Sequence, residues 1–303
     1  RIQQLLREEH NINEIVYINF DDERLRQMTA DDLDLILQAY HSLFDLRPLF
    51  FFDEIQNIEG WEHFARRLAN QKYNIYITGS NAKMLSREIA TTLGGRFWNK
   101  DVYPYSFAEY LNARNIILSK NWMYGKQAAE VSKAFNDYFL YGGFPELTDV
   151  IAKRVWLNDI YSKIFFSDLI VRNKVRNEEA LGLLVRRLAE NVKQPVSYTR
   201  LANLISSIGI KISKATVIEF IRYLKESCLI FPIENYAAKF AERNSNMKHY
   251  FIDNGLLSIF LLDGNTSLLE NIVAIHLYKR YGAQLYFYNQ NIEVDFIIPE
   301  AKT

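Results

Sequence analysis

Leu49-Phe-Phe-Phe-Asp-Glu54 decides how this chain is read: four bulky apolar residues run without alternation straight into two adjacent carboxylates, Asp53 and Glu54. An apolar run of this length predicts a strand covered on both faces, the kind found in a parallel sheet inside an α/β domain. Ligands of such sheets sit beyond the carboxyl ends of the strands, where these two acids fall. Asp53 would hold Mg²⁺, mostly through water, because that ion takes hard oxygen ligands and keeps much of its hydration shell. Glu54 would point past the metal at a water and polarise it for attack on a γ-phosphate. A strand that simply ends in a solvated Asp-Glu turn has the same short pattern.

Outward from this run, Asn74-Ile-Tyr-Ile-Thr-Gly-Ser-Asn81 is a second apolar stretch that ends in small polar residues. On a neighbouring strand, Thr78, Ser80 or Asn81 would reach the same phosphate or its water. Between the two runs, Trp61, Phe64 and Leu68 are spaced as on an amphipathic helix, with Arg66 and Arg67 nearby. The two strand ends resemble the Walker B and sensor 1 pair of AAA+ ATPases. Thr92-Leu-Gly-Gly-Arg-Phe97 resembles the Gly-Arg element that supplies an arginine finger in one family of bacterial and archaeal AAA+ ATPases. Tyr103-Pro-Tyr-Ser-Phe-Ala-Glu-Tyr-Leu111 and Tyr141-Gly-Gly-Phe-Pro-Glu146 resemble later segments of that family.

The resemblance covers essentially the whole chain. It implies an α/β fold: an AAA+ P-loop NTPase core with a parallel sheet, N-terminally incomplete, then a helical lid, a winged helix and an incomplete nuclease-like α/β domain. It implies ATP and Mg²⁺ as cofactors, with Asp53 on the metal, Glu54 on the water and Ser80 or Asn81 as sensor. Arg96 would reach a neighbouring subunit's nucleotide, so a homo-oligomer is an expected partner.

One departure stands against these matches. No Gly-x-x-x-x-Gly-Lys-Ser/Thr occurs in the 303 residues, so the loop whose backbone N–H groups would cradle the phosphates is missing from them. The chain opens on Arg1-Ile-Gln-Gln-Leu-Leu-Arg-Glu-Glu9, with Ile2, Leu5 and Leu6 at helical spacing, and enters a strand at Ile15-Val-Tyr-Ile-Asn-Phe20. In the family that helix and strand follow directly after the phosphate loop. The expectation is an N-terminal truncation rather than a lost loop, because Arg1 is not a natural start.

At 303 residues the chain is long enough for two or three domains, and 49% hydrophobic with 14% aromatic residues argues against disorder. No uncharged apolar run approaches the roughly 18 to 20 residues that span a bilayer. There is no charged-then-apolar leader either, so the expectation is a cytoplasmic protein without a membrane partner. The single cysteine, Cys228, cannot form an internal disulfide, and its apolar helical context predicts a buried, inert thiol. The five histidines are scattered without metal-ligand spacing and read as structural or surface residues.

Zero net charge conceals an asymmetry. Between Glu8 and Glu62 there are fourteen acidic residues against three arginines, whereas Lys153 to Lys225 carries about eight excess positive charges. Within the basic stretch, Glu178 to Val192 is amphipathic, Ser197 is placed to cap a helix to Ile205, and Ser213 to cap another through Leu224. Leu229-Ile-Phe-Pro-Ile233 then reads as a strand, which completes a winged helix-turn-helix pattern. If this module meets double-stranded DNA, the third helix would present Lys211, Lys214 and Arg222 to the major groove. Arg172, Lys174, Arg176, Arg186, Arg187, Lys193 and Arg200 would add phosphate contacts. Thr216, Glu219 and Arg222 give that helix a mixed polar face, which equally suits packing or protein contact.

Near the C-terminus, Leu269 to His276 starts a helix with Glu270 in its first turn, followed by strands at Gln284 to Tyr288 and Asn291 to Ile298. A helix glutamate and a strand aspartate resemble the opening half of a PD-(D/E)xK nuclease core, with Glu270 and Asp295 as metal ligands. Glu300-Ala-Lys302 follows Asp295 too closely for a hairpin partner and reads as coincidental. In this family the nuclease-like fold is often incomplete, and Asp295 with Glu293 then reads as a vestige or a solvated strand face. Nuclease activity is not expected.

The organisation is therefore sequential: the core at 1–115, with strands at 15–20, 48–53, 74–79 and near 101–103, a helical lid or connector at 116–175, the winged helix at 176–236, and the nuclease-like segment at 237–303. The function expected is an ATP-binding AAA+ ATPase that couples nucleotide to DNA or a protein partner. The alternative is a DNA-binding or protein-interaction module on a degenerate, non-hydrolysing ATPase scaffold.

Overall fold

The apolar run forms the middle strand of a three-stranded parallel sheet in the order β1-β2-β3, built from Ile15–Asn19, Leu49–Asp53 and Asn74–Thr78. The structure is a computed structural model that describes residues 1–79, 92, 94, 97–239, 243, 246–262 and 264–299. It divides into two units, Arg1–Asp101 and Val102–Thr303.

In the first unit the helices are α1 (Ile2–Arg7), α2 (Leu33–Leu43) and α3 (Trp61–Asn70). The missing alternation in β2 has a direct cause. Phe50 and Phe52 face one way, into a core with Phe20, Leu33, Trp61, Phe64 and Leu68. Leu49 and Phe51 face the other, packing with Leu5 of α1, and Phe51 stacks on Tyr76 at 4.5 Å between ring centroids. Each of these side chains contributes roughly 1.5–3 kcal/mol by leaving water, so a charge anywhere in 49–52 would be strongly destabilising. The spacing of Trp61, Phe64 and Leu68 is borne out, since all three line the buried face of α3. The strand expected near 101–103 is not formed. Residues 97–103 have no regular structure, and Trp98 and Val102 are almost fully exposed.

The second unit begins with α4 (Phe107–Ala113), α5 (Lys126–Tyr141) and α6 (Lys153–Lys163), which runs on as a π-helix over Ile164–Val171. Then follow α7 (Glu178–Glu190), β4 (Val196–Ser197), α8 (Tyr198–Ser207), α9 (Lys214–Glu226), β5 (Ile230–Asn235) and β6 (Asn246–Phe251). The unit ends with α10 (Asn254–Ser258), α11 (Asn265–Tyr281), β7 (Tyr286–Asn289) and β8 (Glu293–Ile297). Its five strands form one sheet, β4-β6-β5-β7-β8, in which only the β5–β7 pairing is parallel. The expected caps are present: the Ser197 and Ser213 hydroxyls accept from the backbone N–H groups of Arg200 (3.2 Å) and Thr216 (3.1 Å). Cys228 departs from its expectation. It is exposed, in a left-handed turn (φ 55°) where the chain leaves α9 for β5.

Asp253 is the hub of this unit. Its Oδ2 accepts from the Gly143 N–H (2.7 Å), and its Oδ1 accepts from the N–H groups of Gly255 (2.8 Å) and Leu256 (3.4 Å) at the start of α10. Gly142 has φ +80°, and a Cβ there would lie 1.9 Å from Asp253 Oδ1. A Cβ on Gly143 would lie 2.3 Å from the carbonyl oxygen of Tyr105, whose N–H donates to the Gly143 carbonyl (2.7 Å). The segments Tyr103–Leu111 and Tyr141–Glu146 therefore meet around one buried carboxylate. Burial pushes Asp253 up to about 6, against the three N–H groups that favour its charged form. His249 is also buried, and burial lowers it to about 4, so it is neutral.

Candidate functional site

Parallel pairing puts Asn19, Asp53 and Thr78 in one row at the carboxyl ends of β1, β2 and β3. The Asp53 carboxylate is held from both sides. The Tyr17 hydroxyl donates to Oδ2 at 3.0 Å, and the Thr78 hydroxyl donates to Oδ1. The hydrogen bond to Asp53 in turn holds the Tyr17 phenol above its ordinary pKa. A carboxylate has about four lone-pair sites. Asp53, so fixed, keeps further acceptor capacity, and hard oxygens of this kind fit a hydrated magnesium ion.

Glu54 turns the chain out of the sheet. Its backbone is left-handed (φ 54°, ψ 32°), which costs a non-glycine residue on the order of 1–2 kcal/mol. The turn is tied to the neighbouring strand, because the Glu54 N–H donates to the Thr78 carbonyl at 3.0 Å. The Glu54 carboxylate accepts from the side-chain amide of Gln56. Gln56 is buried, and its Oε1 has no hydrogen-bond partner among the described residues. A Cβ at Gly79 would come within 2.5 Å of that oxygen, which accounts for glycine after Thr78. Tyr17 and Gln56 are the participants that the sequence reading missed. Period-2 counting puts Tyr17 two residues before the end of its strand, a usable signal, whereas nothing in the sequence marks Gln56. Ser80, Asn81 and Arg96 lie outside the described residues.

On α9, Lys214 occupies the first turn and Lys211 the loop before it, and both are exposed. Arg222 is exposed too but stands beside Glu219 (3.8 Å) and Glu226 (3.7 Å), so its charge is largely answered within the helix. Of the flanking basic residues, Arg172 pairs with Asp168 (2.9 Å), Arg187 with Glu190 (2.8 Å), and Lys193 donates to the Thr266 hydroxyl (2.9 Å).

Glu270 and Asp295 are brought together, though not in the expected frame: α11 begins at Asn265, so Glu270 falls in its second turn. Both reach the ammonium of Lys248 on β6, Asp295 at 2.7 Å and Glu270 at 3.4 Å, and Glu293 joins at 3.5 Å. The Tyr250 hydroxyl donates to Glu270 at 2.7 Å. Burial raises the Glu270 carboxyl, opposed by Tyr250 and Lys248. Among the described residues no group of three or more His, Cys, Asp or Glu side chains is arranged to hold a metal ion. No helix among them is long and apolar enough to cross a membrane.

Residues 1–111 match the model of a family described as an AAA domain, and residues 132–267 match a domain of unknown function, DUF8612. The chain is 34% identical over 297 residues to an uncharacterised protein of Methanocaldococcus jannaschii, covering 95% of this chain and 67% of that protein. It is 31% identical over 296 residues to an uncharacterised protein of Haemophilus influenzae, covering 95% of this chain and 72% of that one. Among solved structures it is similar to a Walker-type ATPase of Pyrococcus abyssi, with a TM-score of 0.50 over 86% of each chain and 13% identity, a likeness of fold alone.

Proposed function

The chain belongs to the family of these archaeal and bacterial proteins, and from its AAA-domain match over residues 1–111 we propose that it is the nucleotide-responding part of an AAA+ ATPase that couples ATP to a DNA or protein partner. The observation that carries the reading is the row Asn19–Asp53–Thr78 with Glu54 at its turn, because it sets two adjacent carboxylates at one sheet end, as the proposed magnesium and water roles require. Bound Mg-ATP would supply the phosphoanhydride and the metal. Asp53 would hold the metal's water shell, kept in place by Tyr17 and Thr78. Glu54 would orient and deprotonate the attacking water, and Ser80 or Asn81 would sense the γ-phosphate. Arg96 would serve a neighbouring subunit, which requires a homo-oligomer. In the full-length protein, ATP with Mg²⁺ at about 100 times Kd is expected to stabilise the fold by about 2.7 kcal/mol, read as a rise in Tm. An unchanged melting temperature would leave the α/β core as a scaffold only.

On the partner side, the succession α7-β4-α8-α9-β5-β6 is the one a winged helix would have, and the exposed Lys214 at the start of α9 and Lys211 in the loop before it favour duplex DNA. The affinity for a short duplex is expected to fall steeply with added NaCl. Lys211→Ala combined with Lys214→Ala should flatten the log–log salt slope by about 2. A slope that is flat in the parent protein, or identical in the variant, would favour a protein partner for this face. Arg222→Ala should change the slope much less, since two glutamates already answer that charge.

A further inference from the structure

The pocket between β6, α11 and β8 holds three carboxylates against one ammonium. The Lys248 side chain is fully buried, with its Nζ 5.6 Å from the centre of the Phe287 ring. An ammonium has three N–H donors, and three carboxylate oxygens lie within 2.7–3.5 Å of it, from Asp295, Glu270 and Glu293. A divalent ion bridging Glu270 and Asp295 would stand about 2.0–2.6 Å from their oxygens. That volume is where Nζ already lies, so a divalent ion could not bridge the two acids without displacing the ammonium. Without the ammonium the three acids would face one another with no countercharge, so the pocket needs a cation of some kind. Glu293 and Asp295 have side chains 44% and 52% exposed, so one side of the pocket is open to solvent.

We infer that the Lys248 ammonium is the resident cation of this pocket, standing where a divalent metal would bridge Glu270 and Asp295, and that removing it converts the pocket into a divalent-cation site. As built, the pocket clasps β6 to α11 and β8 without a metal and offers no metal-activated water. The three acids also explain why a lysine is tolerated in the buried run Met247–Phe251.

Counting bound Mn²⁺ on the full 303-residue chain, without nucleotide, tests this. The parent and Asp295→Asn are expected to bind the same number of ions, because Asp295 holds none. Lys248→Met is expected to bind one more ion per chain than the parent, and adding Asp295→Asn should remove it. Lys248→Arg, which keeps a cation in place, should gain none. A parent that loses an ion on Asp295→Asn would overturn the inference, and so would a folded Lys248→Met that gains none. Should Lys248→Met fail to fold alone, folding restored by Mn²⁺ supports the inference and failure to restore it counts against it. The comparison of the parent with Asp295→Asn needs no lysine variant.

Discussion

Glu54→Gln is expected to leave Mg-ATP binding by the full-length protein intact and to slow hydrolysis about 10²- to 10⁴-fold, the usual loss when a general base is removed. The substitution keeps the shape, the left-handed turn and the backbone bond to Thr78, while the negative charge and the ability to take a proton go. Gln56 sharpens the test. It donates its amide to the Glu54 carboxylate, and with a carboxamide in place of that carboxylate it can still pair amide to amide, so the variant should fold normally. The readouts are steady-state phosphate release and, separately, nucleotide affinity. Undiminished turnover would remove Glu54 from the chemistry. Lost nucleotide affinity would mean that it grips the ligand instead. Asp53→Asn should behave differently, weakening magnesium-dependent binding, because it alters the group that would hold the metal's waters.

Asp253→Ala is expected to cost about 3 kcal/mol and lower the melting temperature by about 6–12 °C. The change strands three backbone N–H groups, at Gly143, Gly255 and Leu256, and uncaps α10. Relief from burying a charge offsets part of that loss, so the net figure is below the sum of three charged hydrogen bonds. The pH dependence supplies a second readout. Asp253 titrates higher in the folded chain (about 6) than unfolded (3.8), so its protonation adds stability as pH falls through that window. His249 runs the other way. Its folded value, about 4, lies below the unfolded 6.5, so the unfolded chain takes up a proton first and stability is lost as pH falls from 6.5 to 4. Each effect is on the order of 3 kcal/mol, and in the parent they largely offset. Without Asp253 the decline in acid should be visibly steeper. A parallel pH profile in the two proteins would show that Asp253 does not titrate as its burial implies.

Much of the first unit is legible in the sequence because its determinants are local. An unalternated Leu-Phe-Phe-Phe run demands cover on both faces, and Trp61, Phe64 and Leu68 announce the helix that provides half of it. The position of Asp53 at a strand end follows from the same run. What escapes depends on contacts across many residues. Tyr17 is 36 positions from the carboxylate it supports, and Gln56 packs closely on Gly79, an approach that only the folded sheet creates. Near 101–103 the expected strand has no apolar alternation in Asp101-Val-Tyr103 behind it, and the segment is irregular. Cys228 reads as buried because its neighbours are apolar, yet the turn after α9 rotates it outward. Lys248 is the instructive omission. A lysine inside an apolar strand looks like noise until the helix glutamate and the strand aspartate converge on it.

The single strand β6 serves two masters with adjacent letters. Lys248 and Tyr250 address the acids of α11 and β8, while His249 between them lies against Tyr198 of α8. An insertion of one residue before Lys248 would exchange the two faces at a stroke, presenting an imidazole to the acids and an ammonium to the helices. The segment that reads like a nuclease remnant and the segment that reads like a winged helix thus share one line of text. Neither can drift in sequence along β6 without the consent of the other.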